Sequence, residues 1–120
     1  VCDKDVFVFG SNLAGRHATG AALHAFKVHY AIIGQGVGRQ GQSYAIPTKN
    51  QSLKTLSLPT IKHYVDEFMN YARHDRWQPY YVTRIGCGLA GYNDDQIAPM
   101  FEQASDNVYF FDPRWDHRLC

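Results

Sequence analysis

Residues 85–92 read Ile-Gly-Cys-Gly-Leu-Ala-Gly-Tyr. Glycine at 86, 88 and 91 leaves little side-chain bulk and permits positive φ angles. A loop of that kind brings backbone N–H groups close to a bound anion. A second small-residue stretch, residues 10–22, reads Gly-Ser-Asn-Leu-Ala-Gly-Arg-His-Ala-Thr-Gly-Ala-Ala. Thr19, Gly20, Ala21 and Ala22 within it let a ligand or another backbone approach closely. Asn12 both donates and accepts hydrogen bonds and serves either a ligand or a turn of its own loop. His17 reads as a general base or phosphate donor, or as a surface-loop histidine. Cys87 invites a nucleophile reading, but no matching His/Asp pair accompanies it, so small-residue packing under the loop is preferred. Lys49 leaves the C-terminal end of an apolar segment, where ligands bind in open α/β sheets.

Strands and helices must deliver these loops to one place. Residues 5–10, Asp-Val-Phe-Val-Phe-Gly, read as a central strand buried on both faces. Residues 11–17 read as a loop. A helix follows, capped by Thr19 or Ser11, with Ala21, Ala22, Leu23, Ala25, Phe26 and Tyr30 along it. Residues 34–42 contain four glycines, too many for a stable helix or strand. They form a surface loop, or else a lid or phosphate-facing loop. Residues 43–46 make a short strand stopped by Pro47. Ser57 caps a second helix with Pro59 in its first turn. Ile61, Tyr64, Val65, Phe68, Tyr71 and Ala72 recur at helical spacing as its core face. Lys62, Asp66, Glu67, Asn70 and Arg73 form its wet face. Residues 80–85 are a third strand. Asn93, Asp94 or Asp95 caps a third helix bearing Ile97, Met100, Phe101 and Ala104, and Pro99 starts its regular part later than the caps. Residues 108–111 are the last strand, with irregular chain after Asp112-Pro113.

This alternation implies one α/β domain over residues 1–120, with a mostly parallel sheet and helices on both faces. Helices beginning after residues 15–20 and 86–92 would each present unsatisfied N–H donors and roughly half a positive charge. Two such ends suit a diphosphate without many Lys or Arg.

The bulk composition agrees with a single globular unit. The chain has 120 residues, 45% apolar and 19% charged, with 12 basic and 11 acidic residues and a net charge of +1. Such a balance lacks the basic stripe of a nucleic-acid surface. Aromatic residues make up 14%, including eight Tyr and seven Phe, which supplies flat core or ligand-facing surfaces. Cys2, Cys87 and Cys120 show no metal-ligand spacing. Reduced thiols, a cytoplasmic location and no metal or other cofactor are expected. No apolar run approaches the roughly 18–20 residues of a membrane span, and no segment reads as a signal peptide.

Three patches together resemble the macrodomain family, which binds ADP-ribose. They are residues 9–22, residues 44–49 (Tyr-Ala-Ile-Pro-Thr-Lys) and residues 84–92. The last is the most specific. It is similar to the branch of glycohydrolases that release terminal ADP-ribose from acidic side chains, and short phage-associated and bacterial macro-like proteins also look similar. The resemblance implies a three-layer α/β/α fold with four strands in the order 4-3-1-2. It implies a diphosphate between two facing loops, with Gly10, Ser11, Asn12, Gly15, Gly20 and Ala21 on one side. Gly86, Cys87, Gly88, Leu89, Ala90, Gly91 and Tyr92 form the other. Asn12 corresponds to the asparagine at the distal ribose. Lys49 corresponds to the lysine that attacks the distal ribose, with His17 within reach of the same site. The branch's assisting carboxylate corresponds to Ala90, which can neither accept a proton nor stabilise an oxocarbenium ion. The implied partner is ADP-ribose or a related nucleotide, free or on a modified protein or nucleic acid. Binding without chemistry and hydrolysis by Lys49 with Asn12 or His17 as catalytic residues both stand as readings, and a small-molecule enzyme of another α/β class using Cys87 is a third.

Overall fold

The computed structural model describes residues 4–116 and residue 118; Cys2, Asp3 and Cys120 lie outside them. Five strands form one sheet: β1 (Val6–Asn12), β2 (Gly38–Gln40), β3 (Ser43–Lys49), β4 (Tyr80–Val82) and β5 (Val108–Phe110). Their order is β2-β3-β1-β4-β5. Every pairing is parallel except that of β2 with β3. Leaving out β2, the remaining four strands stand in the expected order 4-3-1-2.

β1 is the sheet's centre because both of its faces are apolar. Val6 and Val8 point into one cluster with Tyr44, Ile46, Ile61, Val65, Phe68 and Val108. Phe7 and Phe9 point into the other with Ala22, Ala25 and Ala45. The period-two alternation of a strand makes this division. Helix α1 (Gly20–Val28) supplies Ala22 and Ala25 to the second cluster. Helix α2 (Leu58–Arg73) supplies Ile61, Val65, Phe68, Met69 and Ala72 to the first. Ser57 caps α2 by accepting from the Thr60 N–H, with Pro59 in the first turn. Tyr71 of the expected core face is exposed, and Met69 takes a buried place instead.

Several local expectations need correction. Residues 34–42 do contain a strand: β2 pairs antiparallel with β3, and Gly41 at φ +59° makes the turn between them. Pairing to a neighbour supplied what glycine-rich residues lack locally. β1 continues through Ser11 and Asn12. β3 runs through Pro47 to Lys49, because Pro47 lies beyond Ala45, the last residue paired with β2, and beside a register shift. Proline is tolerated at such edges and bulges. β4 stops at Val82 instead of Ile85. Helix α3 (Asp94–Ile97) begins at its caps and lasts a single turn; Pro99 converts the continuation, Ala98–Phe101, to a 3-10 helix. The segment after Asp112 is not wholly irregular either: Pro113–Trp115 forms a 3-10 turn that buries Trp115 in the main core. Among the described residues no helix is long and apolar enough to cross a membrane.

Candidate functional site

β1, β3 and β4 run parallel, so their C-terminal ends open at the same edge of the sheet. A cavity of about 480 Å³ lies there. Its floor is Gly10, Ser11 and Asn12 of β1 with Thr48 and Lys49 of β3. One wall is Arg16, Thr19 and the first residues of α1, Gly20, Ala21 and Ala22; the facing wall is residues 83–86 and 88–90. The two small-residue stretches therefore do face each other.

The first wall is held from behind. Asn12 accepts from the Arg16 N–H and donates to the Arg16 carbonyl, both at 3.0 Å, which closes the turn. Asn12 thus takes the turn role with one N–H and one oxygen lone pair of its amide. Gly15, at φ +70°, sits so close to the loop of residues 34–36 that a Cβ would lie 2.3 Å from the Gln35 nitrogen. The Gly34 N–H donates to the Gly15 carbonyl (2.9 Å), and Ser11 Oγ donates to the Gly36 carbonyl (2.5 Å). His17 is 2% exposed. Its Nε2 lies 3.1 Å from the Gln35 carbonyl and 3.2 Å from Gln40 Oε1, and its ring meets Phe9 edge-on. A carbonyl only accepts, so Nε2 carries the proton. His17 is a buried strut, which corrects its assignment as a catalytic base or phosphate donor. The loop of residues 34–42 is likewise a buttress and not a lid, since none of its residues lines the cavity.

The second wall is a glycine loop anchored at both ends. Gly86, at φ +76°, presses against Ile97, whose Cδ1 would lie 3.1 Å from a Cβ. The Tyr92 N–H donates to the Gly86 carbonyl and the Gly91 N–H to the Gly88 carbonyl. Tyr92 Oη donates to the Leu56 carbonyl (2.7 Å), and Thr55 Oγ1 donates to the Ala90 carbonyl (2.9 Å). Those bonds leave the N–H groups of Gly86, Gly88, Leu89 and Ala90 without a partner among the described residues, and all four residues line the cavity. Across from them, the first turn of α1 leaves its N–H groups unpaired by helix geometry, and Thr19 makes no side-chain cap.

The helix after the glycine loop contributes no such end. Asn93 and Gln96 close a capping box over α3 that satisfies two of its donors, and no residue of α3 lines the cavity. The expected pair of helix ends becomes one helix end facing one glycine loop. Gly15, His17, Cys87, Gly91 and Tyr92 do not line the cavity, whereas the other expected binding residues and Lys49 do.

Charge at the cavity is one-sided. Arg84 pairs bidentately with Asp94, at 2.9 Å through both Nε and Nη2. Trp115 Nε1 also donates to Asp94 (2.7 Å). The Arg84 bonds, then the Trp115 bond, lower the Asp94 carboxyl to about 2. Arg16 and Lys49 line the cavity with no ion pair among the described residues, and no Asp, Glu or His lines it. The half-buried Cys87 thiol lies 3.8 Å from Asp94. Burial, then the Asp94 charge, pushes its pKa up. That favours the thiol over the nucleophilic thiolate and fits the packing role.

Thr19 and Ala22 line it as part of the small first turn expected to admit a ligand, and Arg16, Thr48, Thr83, Arg84 and Ile85, not expected as site residues, complete the lining. Thr48 adjoins Lys49 at the strand end, a legible signal. Residues 83–85 were hidden by the expectation that their strand continued.

No protein-family model matches the chain, and no curated protein matches it. One solved structure does: a protein of unknown function from Bacteroides thetaiotaomicron, at a TM-score of 0.61 and 16% identity, over 89% of this chain and 88% of that one. At that identity, the chain is similar to it in fold alone.

Proposed function

We propose that the chain binds ADP-ribose or a related nucleotide diphosphate in the cavity at the ends of β1, β3 and β4, without chemistry on it. The observation that carries this reading is the set of unpartnered amides at Gly86, Gly88, Leu89 and Ala90 opposite the open first turn of α1. Backbone donors and a helix N-terminus stabilise phosphate oxygens without a cluster of cations. Arg16 and Lys49 add positive charge with no carboxylate in the lining to oppose an anion. The volume falls within the roughly 300–1,000 Å³ of small-molecule pockets. The same reading takes the sheet, with α1 against one face and α2 against the other, as a three-layer macrodomain-like fold.

Calorimetry with ADP-ribose and ADP tests it. A micromolar dissociation constant, about −8 kcal/mol, is expected, with the nucleotide recovered intact. No heat at millimolar nucleotide counts against binding.

Hydrolysis of an ADP-ribosylated protein or nucleic acid is the second reading, favoured by Lys49 in the lining. The lining offers no carboxylate or imidazole to move a proton, so binding is preferred. Incubation of ADP-ribosylated protein and DNA with wild type and Lys49→Ala decides between them. Release by wild type that is lost in the variant would establish the lysine reaction.

A further inference from the structure

On the α1 face of the sheet, away from the cavity lining, two imidazoles converge. His24 lies on α1, and His29 is the residue that caps its C-terminus. Their Nε2 atoms stand 3.3 Å apart. That distance is within reach of a long N–H···N hydrogen bond, and it also matches two ligands of one metal ion. Two nitrogens bound at about 2.0–2.1 Å to one tetrahedral metal lie about 3.3–3.4 Å apart. We propose that His24 and His29 form a two-imidazole site for a divalent transition-metal ion of the zinc class.

Both rings are held in place before any ion arrives. The His29 ring stacks on Phe7 at 4.6 Å and 13°, and His24 meets Phe7 edge-on at 5.2 Å. Phe7 belongs to β1 and is itself fixed by its strand register with Ser43 and Tyr81. The C-cap is also fixed: the His29 N–H donates to the Ala25 carbonyl at 2.9 Å. The next residue, Tyr30, turns the chain at φ +63°. His29 is buried while His24 is exposed, so the pair is anchored on one side and open to solvent on the other. No third His, Cys, Asp or Glu joins the group among the described residues. Imidazole suits Zn(II), Cu(II) and Ni(II), and the tetrahedral spacing favours Zn(II).

Titration of the metal-free chain with zinc chloride tests the site, read by calorimetry and by nitrogen NMR of the labelled imidazoles. One equivalent should bind, with the Nε2 resonances of His24 and His29 shifting together. His24→Ala, a change at an exposed position that leaves the core intact, should weaken binding more than about tenfold. Zinc binding unchanged in His24→Ala overturns the proposal. So do shifts at His63 or His74 without shifts at the pair, or no binding up to millimolar zinc; the imidazoles are then a hydrogen-bonded pair only.

Discussion

Replacing Gly36 by alanine tests the buttress behind the cavity. Gly36 lies outside the positive-φ region, so alanine brings no backbone strain and its effect is purely steric. A Cβ there would sit 2.1 Å from the Asn12 carbonyl oxygen and 2.9 Å from Leu13 Cα. Carbon contacts favour about 3.5–4.0 Å. Both neighbours are backbone, so no side chain can rotate away, and either the 34–36 loop lifts or the Asn12 turn shifts. Overpacking of this kind costs about 1–3 kcal/mol. Lifting the loop also breaks the bond from Ser11 Oγ to the Gly36 carbonyl, worth about 0.5–1.5 kcal/mol. Together they give about 2–4 kcal/mol, or a fall in Tm of roughly 5–20 °C for a chain of this size. Gly88→Ala is the control. Its Cβ meets nothing within 4 Å and its φ is not positive, so its stability should stay within about 0.5 kcal/mol of wild type. Calorimetric melting of both variants reads the difference. If Gly36→Ala melts within about 1 °C of Gly88→Ala, the loop is not the buttress described.

Asp94→Asn should change the acid limb of the stability curve. The folded-state carboxyl is lowered to about 2, below the unfolded value of about 3.9. Its contribution is therefore present above about pH 4 and lost as pH falls toward about 2. The wild-type advantage in urea midpoint should shrink across that window, and an advantage constant from about pH 6 to about pH 2 contradicts the linkage. Tyr80 is 0% exposed and its Oη donates to Asp75 Oδ2 at 2.6 Å. Burial, then Asp75, pushes its phenol pKa up, so it stays a donor. Tyr80→Phe removes a bond to a charged group and should cost about 1.5–3 kcal/mol in urea unfolding; an unchanged midpoint rejects this assignment.

Much of the fold was legible from local pattern. The doubly apolar run of β1 and the helical spacing of Ile61, Val65 and Phe68 reflect which faces a strand or helix must bury. The same patterns say little about where an element stops. β2 could not be read from residues 38–40 because its stability comes from pairing with β3. Pro99 was recognised as a helix constraint, but whether the regular turn lay before or after it depended on the Asn93 capping box. Trp115 needed the core formed by α2 and Phe101 before its burial had any meaning.

The site divides along the same line. Small residues at 10–22 and 86–91 make close backbone approach possible through local sterics, and this property belongs to the residue types themselves. Availability for a ligand does not. Ser11, Asn12, His17 and Arg84 all carry groups that suit an anion or a ribose, yet Gly36, Arg16, Gln35 with Gln40, and Asp94 already engage them. The amides of Gly86, Gly88, Leu89 and Ala90, with Arg16 and Lys49, are left over at the cavity. A donor serves a ligand only when no other part of the chain satisfies it, and the packing of loops distant in sequence decides that.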